Sequence, residues 1–315
     1  MIMLSVIALF VVSFIALSII AVSLYLALRV SFPPRIVEAR VLADEAEKGY
    51  IDLARWNSLR KKDFVFDSPY GYTLRGVRVY SDTPATDPEG KPLQRVLVLC
   101  HGHGFSLVGS IKYLDHFLDL GFDAVMYDHR ACGRSGGRGV SMGYFEKDDL
   151  STLLDILRSE YGSDVLVGTL GESMGGATVI LQAAGDSPPS FVIADCPYSD
   201  LRAELAYRLK VENHLPSFPF VGLASIFTRI KSGYYYSQVS PLSSIREKGG
   251  LPLVPVLFMH GGSDDYIPSS MSQTMHEAKE GVKGFCVVPD ARHGNSVATD
   301  CDLYMRTVDE FLSRI

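Results

Sequence analysis

Six short, almost wholly apolar runs recur in order along this chain: "RVLVLCHG", "FDAVMYDHR", "DVLVGTLGES", "FVIADCP", "VPVLFMHGG" and "GFCVVPDARHG". Continuous apolar runs of this length are what parallel strands covered on both faces require. The segments between them include "SIKYLDHFLDLG", "YFEKDDLSTLLDILRSEYG", "GGATVILQAAG" and "SSMSQTMHEAKEG". Most are helix-length, with apolar residues three and four apart, so the repeated unit is β-α-β. The chain is therefore predicted to be α/β, a mostly parallel central sheet with helices on both faces. Two alternating runs, "DFVFDSP" and "YTLRGVRVYS", come first and predict an antiparallel start. One interval breaks the rhythm. Residues 201–250 are long enough for two or three extra helices, and their aromatic, proline-containing part, 215–239, reads as a lid over the strand ends.

The N-terminus sets a second constraint. Residues 2 to 28 contain no charged residue, proline or glycine, and at about 1.5 Å per helical residue they reach roughly 40 Å, more than a bilayer core needs. No basic residue precedes the run, and it is far longer than the apolar part of a signal peptide. Residues 1–30 therefore read as an uncleaved, single-pass transmembrane anchor. Arg29, Arg35 and Arg40 follow the span and none precedes it, which places the bulk of the chain on the cytoplasmic side. Residues 31–62 read as a helical connector, and 63–315 as one α/β domain of ordinary size.

Composition excludes several partners. A net charge of −6 without a basic run argues against nucleic acid. The glycine cluster "GRSGGRG" lacks the lysine and the spacing of a phosphate cradle. Five scattered cysteines, Cys100, Cys132, Cys196, Cys286 and Cys301, read as buried thiols of a reducing compartment. No C-x-x-C or H-E-x-x-H string calls for a metal, and no cofactor is expected.

Ligands of open parallel sheets sit at the carboxyl ends of strands, and three reactive residues fall there. Ser173 ends the third run, Asp264 follows the fifth and His293 follows the sixth. A serine hydroxyl needs a base near neutral pH, an imidazole can take and return its proton, and a buried carboxylate can hold that imidazole in one tautomer. Gly171 and Gly175 permit a sharp strand-to-helix turn that lifts Ser173 and aims the Met174 N–H at a developing oxyanion. Asp265 and Asp195 compete with Asp264 as the acid. His116, His214, His260 and His276 carry no signal of chemistry, while His129, Arg130 and Asp128 read as loop braces, Arg130 donating to carbonyls or carboxylates.

With these motifs in order, the chain resembles the α/β-hydrolase superfamily over nearly all of its length after residue 63. "LCHGHG" is similar to the oxyanion loop, "YDHRACGRSGG" to the D-x-R-x-x-G-x-S segment, and "GESMGG" to the nucleophile elbow. "HGGSDDYIP" is similar to the acid segment and "DARHG" to the histidine segment. The resemblance extends to membrane-anchored bacterial esterases and serine-aminopeptidase-like hydrolases. It implies that His103 supplies a second oxyanion N–H, substrate contact by its side chain being the alternative, and it favours Asp264 over Asp265. The implied activity is cleavage of a small-molecule or lipid-like carboxylic ester through an acyl-serine, with amide cleavage or a non-catalytic membrane-tethered binding module as the alternatives.

Overall fold

A computed structural model describes residues 2–86, 89–90, 93–162 and 164–315. Eight strands form one sheet: β1 (Lys61–Asp67), β2 (Thr73–Val79), β3 (Arg95–Cys100), β4 (Asp123–Tyr127), β5 (Leu166–Glu172), β6 (Phe191–Asp195), β7 (Val256–Gly261) and β8 (Lys283–Val288). Their spatial order is β1-β2-β4-β3-β5-β6-β7-β8. The first two strands pair antiparallel and β2 is antiparallel to β4, while every pair from β4 to β8 is parallel.

The alternation of side chains across a strand divides the core. In β3, Leu97 and Leu99 face one layer and Val96, Val98 and Cys100 the other. The first layer is closed by α2 (Glu38–Glu47), α3 (Leu53–Ser58), α4 (Leu114–Asp119), α11 (Ser296–Thr299) and α12 (Cys301–Leu312), through Val41, Trp56, Phe117, Val297 and Phe311. The opposite layer holds α5 (Glu146–Tyr161), α6 (Met174–Ala183), α9 (Pro241–Glu247) and α10 (Ser270–Ala278), through Leu153, Ile180, Ile245 and Met275. Strand β8 departs from the expectation of cover on both faces. It lies at the sheet edge and most of it is only half-buried. Three of the five cysteines are buried, but Cys286 on β8 is half-buried and Cys301, at the start of α12, is exposed.

Helix α1 (Ile2–Ser31) is long and apolar enough to cross a membrane. It outlasts the uncharged run because Arg29 and Val30 continue it, and Pro33 and Pro34 follow its end. Residues 2–17 are exposed on every side, whereas the last turns pack along α8 (Phe220–Ser232). Ser23, Ala27 and Ser31 are the buried residues of α1, one small-residue stripe at four-residue spacing that allows close approach. The segment 201–250 supplies α7 (Leu201–Asn213), α8 and α9, and Ile245 of α9 belongs to the sheet core.

Candidate active site

The β5–α6 junction is a sharp, strained turn. Ser173 has φ 57° and ψ −114°, a conformation that costs a non-glycine residue free energy unless its surroundings enforce it. Its N–H donates to the Asp195 carbonyl at 2.8 Å, which ties the turn to β6. A Cβ on Gly175 would collide with the Cys100 carbonyl, and one on Gly171 with the backbone of Gly175. Only glycines let α6 start this close to β3 and β5. The serine side chain therefore stands at the carboxyl edge of the sheet.

His293, in the loop after β8, reaches it. His293 Nε2 lies 2.9 Å from Ser173 Oγ, and Nδ1 lies 2.7 Å from Asp264 Oδ2. Asp264, in the turn after β7, is fully buried at its side chain, and its Oδ1 accepts the N–H groups of Tyr266 and Ile267 at 2.9 and 2.8 Å. Burial alone would raise the Asp264 carboxyl. Contacts from His260 and His293 outweigh that cost and hold it well below the usual carboxylate range. His260, buried on β7, bonds Ser272 Oγ at 2.7 Å and sits 2.9 Å from the Ile267 carbonyl and 3.2 Å from Asp264 Oδ2. The Tyr266 ring stacks on His293, 4.7 Å between centroids.

The competing acids are elsewhere. Asp265 is exposed. Asp195 is buried behind the turn, accepting the hydroxyls of Tyr113 at 3.0 Å and Ser296 at 3.2 Å. The three sequence-predicted residues Ser173, Asp264 and His293 are thus brought into one hydrogen-bonded line, an arrangement able to deprotonate a hydroxyl and return the proton.

Met174 is the first residue of α6, where an N–H has no intrahelical acceptor, and His103 follows β3 in the neighbouring loop. Among the described residues neither backbone N–H has a protein acceptor. The His103 imidazole lines the cavity beside Ser173 with one nitrogen engaged: its Nε2 lies 2.9 Å from the Val30 carbonyl at the end of α1. Burial lowers the His103 pKa, so the neutral ring donates there. His101 is tied similarly, with Nδ1 2.7 Å from the Gly102 carbonyl and Nε2 accepting the His129 N–H at 3.0 Å. Asp128 braces its loops by accepting the N–H groups of Leu107 and Arg134, each at 2.9 Å. Arg130 departs from expectation. Its guanidinium lies over the rings of Phe145 and Tyr72, at 4.4 and 5.1 Å, and makes no hydrogen bond among the described residues.

Known proteins share this architecture. An esterase of Pyrococcus furiosus superposes with a TM-score of 0.68 at 20% identity, covering 90% of this chain and 97% of its own. A family model described as serine aminopeptidase, S33, matches residues 91–222. The Bacillus subtilis (strain 168) protein YqkD, itself uncharacterized, is 35% identical over 95% of this chain and 94% of its own. The chain belongs to the α/β-hydrolase superfamily. A monoacylglycerol lipase of Mycolicibacterium smegmatis is 34% identical over a shorter stretch, 35% of this α/β-hydrolase and 38% of the lipase.

The α/β-hydrolase also contains a polar cluster that sequence reasoning missed. Lys112 Nζ lies 2.5 Å from Glu172 Oε2 and 2.5 Å from the Gly294 carbonyl, beside His293. Tyr113 bridges Glu172 and Asp195 through one hydroxyl, at 2.9 and 3.0 Å. Burial would lower the Lys112 pKa, but Glu172 overcomes it and raises it. Nothing in the sequence pairs a lysine of the 107–113 turn with the glutamate of the "GES" string, because only the fold brings them together. Lys112→Met leaves Glu172, which is partly buried and keeps only the Tyr113 hydroxyl, without its counter-ion, so a loss of about 3 kcal/mol in stability, the low end for a broken buried pair, is expected. Adding Glu172→Gln restores part of it, as read by denaturant unfolding of the detergent-solubilised protein.

The Ser173–His293 pair opens on a cavity of about 720 Å³. Its walls come from α1, the 102–105 loop, α7, α8 and the Tyr266–Ile267 turn. Glu204 of α7 also lines it, almost fully buried and with Oε2 unpartnered. Burial pushes its carboxyl up to about 8, against the opposing pull of Arg208.

Proposed function

We propose that this α/β-hydrolase is a membrane-anchored serine esterase acting on acyl-bearing, lipid-like substrates. Ser173 Oγ attacks the ester carbonyl carbon as His293 Nε2 takes its proton. The tetrahedral oxyanion lies against the backbone N–H groups of Met174 and His103. Collapse expels the alcohol, which receives the proton from His293, and leaves an acyl-serine. Water then attacks the acyl carbon, giving its proton to His293, and the acid departs as Ser173 regains a hydrogen. Asp264 holds His293 in the tautomer with a proton on Nδ1 and stabilises the imidazolium that accompanies the tetrahedral intermediate of each half-reaction.

The observation that carries this reading is the Ser173–His293–Asp264 line, 2.9 and 2.7 Å, opening on the cavity. The esterase and lipase among the similar proteins support the ester class. An amide-cleaving aminopeptidase is the second reading, favoured by the family model's description. Such an enzyme needs a negative group for a substrate ammonium. Burial pushes the Glu204 carboxyl up to about 8, which favours its neutral form at neutral pH, and Glu212, Glu172 and Glu45 are paired with Arg208, Lys112 and Lys48, so the cavity's acids are poorly suited to that task. A panel of p-nitrophenyl esters and aminoacyl-p-nitroanilides tests the choice. Turnover of the esters exceeding that of the anilides by a factor well above their intrinsic reactivity difference is expected, and the reverse order would sink the ester reading.

Segment 201–250 acts in this account as the lid, through α7 and α8, and α1 as an uncleaved anchor with the catalytic part in the cytoplasm. The bonds from His103 to Val30 and from Val140 N–H to the Ser31 carbonyl support retention of α1, since cleavage after it would strip partners from the body. A reporter joined after Ile315 is expected to report the cytoplasmic side.

A further inference from the structure

We propose that α1 is a wall of the substrate site as well as an anchor: Val22, Leu26 and Val30 bind the acyl chain of a long-chain ester that enters along the helix from the bilayer. The proposal rests on the ester reading above and names what the cavity takes.

The faces of α1 carry it. Ser23, Ala27 and Ser31 pack inward at four-residue spacing. One position back, and so about 100° around the helix, Val22, Leu26 and Val30 line the cavity at the same spacing. Leu209 of α7 and Val221 and Ala224 of α8 line it too. The cavity thus has a catalytic end at Ser173 and His293 and a row of apolar α1 side chains from Val30 to Val22, about 12 Å along the helix axis, with Tyr25 and Arg29 of α1 and Arg208 and Glu212 of α7 also in its lining. Beyond Val22 lie residues 2–21, apolar and largely exposed, and at about 1.5 Å each they span roughly the 30 Å of a bilayer core. The apolar wall therefore begins where the bilayer core ends, and a chain leaving the lipid meets no charged residue of α1 before Arg29.

The wall is also fixed in place. His103 Nε2 holds the Val30 carbonyl at 2.9 Å, Val140 N–H holds that of Ser31 at 2.8 Å, and Arg35 donates to the Ser135 carbonyl at 2.9 Å. A helix serving only as a tether would need none of these bonds to the loops around the site. Because the oxyanion-loop residue His103 makes one of them, the wall and the reacting end are in register.

The test is the ratio of kcat/KM for p-nitrophenyl dodecanoate to that for the acetate, measured on full-length protein in detergent micelles. Both rates come from one preparation, so a misfolded fraction cancels. The parent ratio should be large, since each buried methylene is worth about fourfold in binding. Val22→Trp and Leu26→Trp should each lower the ratio by at least about tenfold, the equivalent of two methylenes excluded. Leu26→Ala, which enlarges the channel, should move the optimum to longer chains. Ile230→Trp, on the exposed face of α8, should leave the ratio unchanged. A parent active on acetate but indifferent to chain length, or Trp variants with the parent ratio, overturns this proposal and leaves the esterase reading standing. A parent inert on both esters overturns both.

Discussion

Ser173→Ala is expected to lower kcat/KM for an ester by about six powers of ten, and His293→Ala by a similar factor. The two effects should not add. With His293 Nε2 2.9 Å from Ser173 Oγ, the pair acts as one unit, and removing either member removes the nucleophile in its reactive form. The double variant should therefore be no slower than the worse single one. What remains, about 10³–10⁴ over water, would come from the Met174 and His103 N–H groups and from the cavity. Full-length protein assayed on a p-nitrophenyl ester reads all three. Two independent losses that multiplied would mean the residues do not cooperate.

Asp264→Asn should cost about 10⁴ in kcat, with Asp265→Asn near the parent value. The asparagine can keep the N–H bonds of Tyr266 and Ile267 on its oxygen, but it then turns an NH₂ toward His293 Nδ1 and selects the wrong tautomer. Geometry survives while proton transfer fails, so the loss in rate should far exceed any loss of folded protein. The pH dependence has a definite sign. The Asp264 carboxyl is held below its unfolded value of about 3.9, so its contribution to stability is fully present above that value. It is lost only as pH falls through the lower, folded value. The stability difference between parent and Asp264→Asn should thus shrink as pH falls below about 4. A difference that stayed unchanged between about pH 4 and pH 2 would mean that the carboxylate is not held in this way.

Much of this was legible in the residues because local and global signals agreed. The runs "RVLVLC" and "FDAVMY" are apolar on both faces, and both became central parallel strands whose side chains divide between two helix layers. Ser173, Asp264 and His293 could be found because strand ends converge at one sheet edge, so order along the chain implied nearness in space. What stayed hidden depended on packing without periodicity. The Lys112–Glu172 pair joins two segments whose spacing carries no motif. The role of the His103 ring could not be guessed, because its acceptor, Val30, lies 73 positions away in a helix read as an independent anchor. Arg130 was expected to donate to oxygens, yet two aromatic rings, each unremarkable in sequence, take its face instead. The cavity wall formed by α1 was illegible for the same reason, since hydropathy reports that a helix can span a membrane and not which of its faces meets protein.

The central claim is that Ser173 is the nucleophile of a working hydrolase. It is tested most directly by treating the full-length protein with a fluorophosphonate and mapping the adduct by mass spectrometry of its peptides. One phosphonyl group per chain on Ser173, absent from Ser173→Ala and strongly slowed in His293→Ala, is the predicted result. A folded parent that takes no label, or takes it on another residue, would contradict the account.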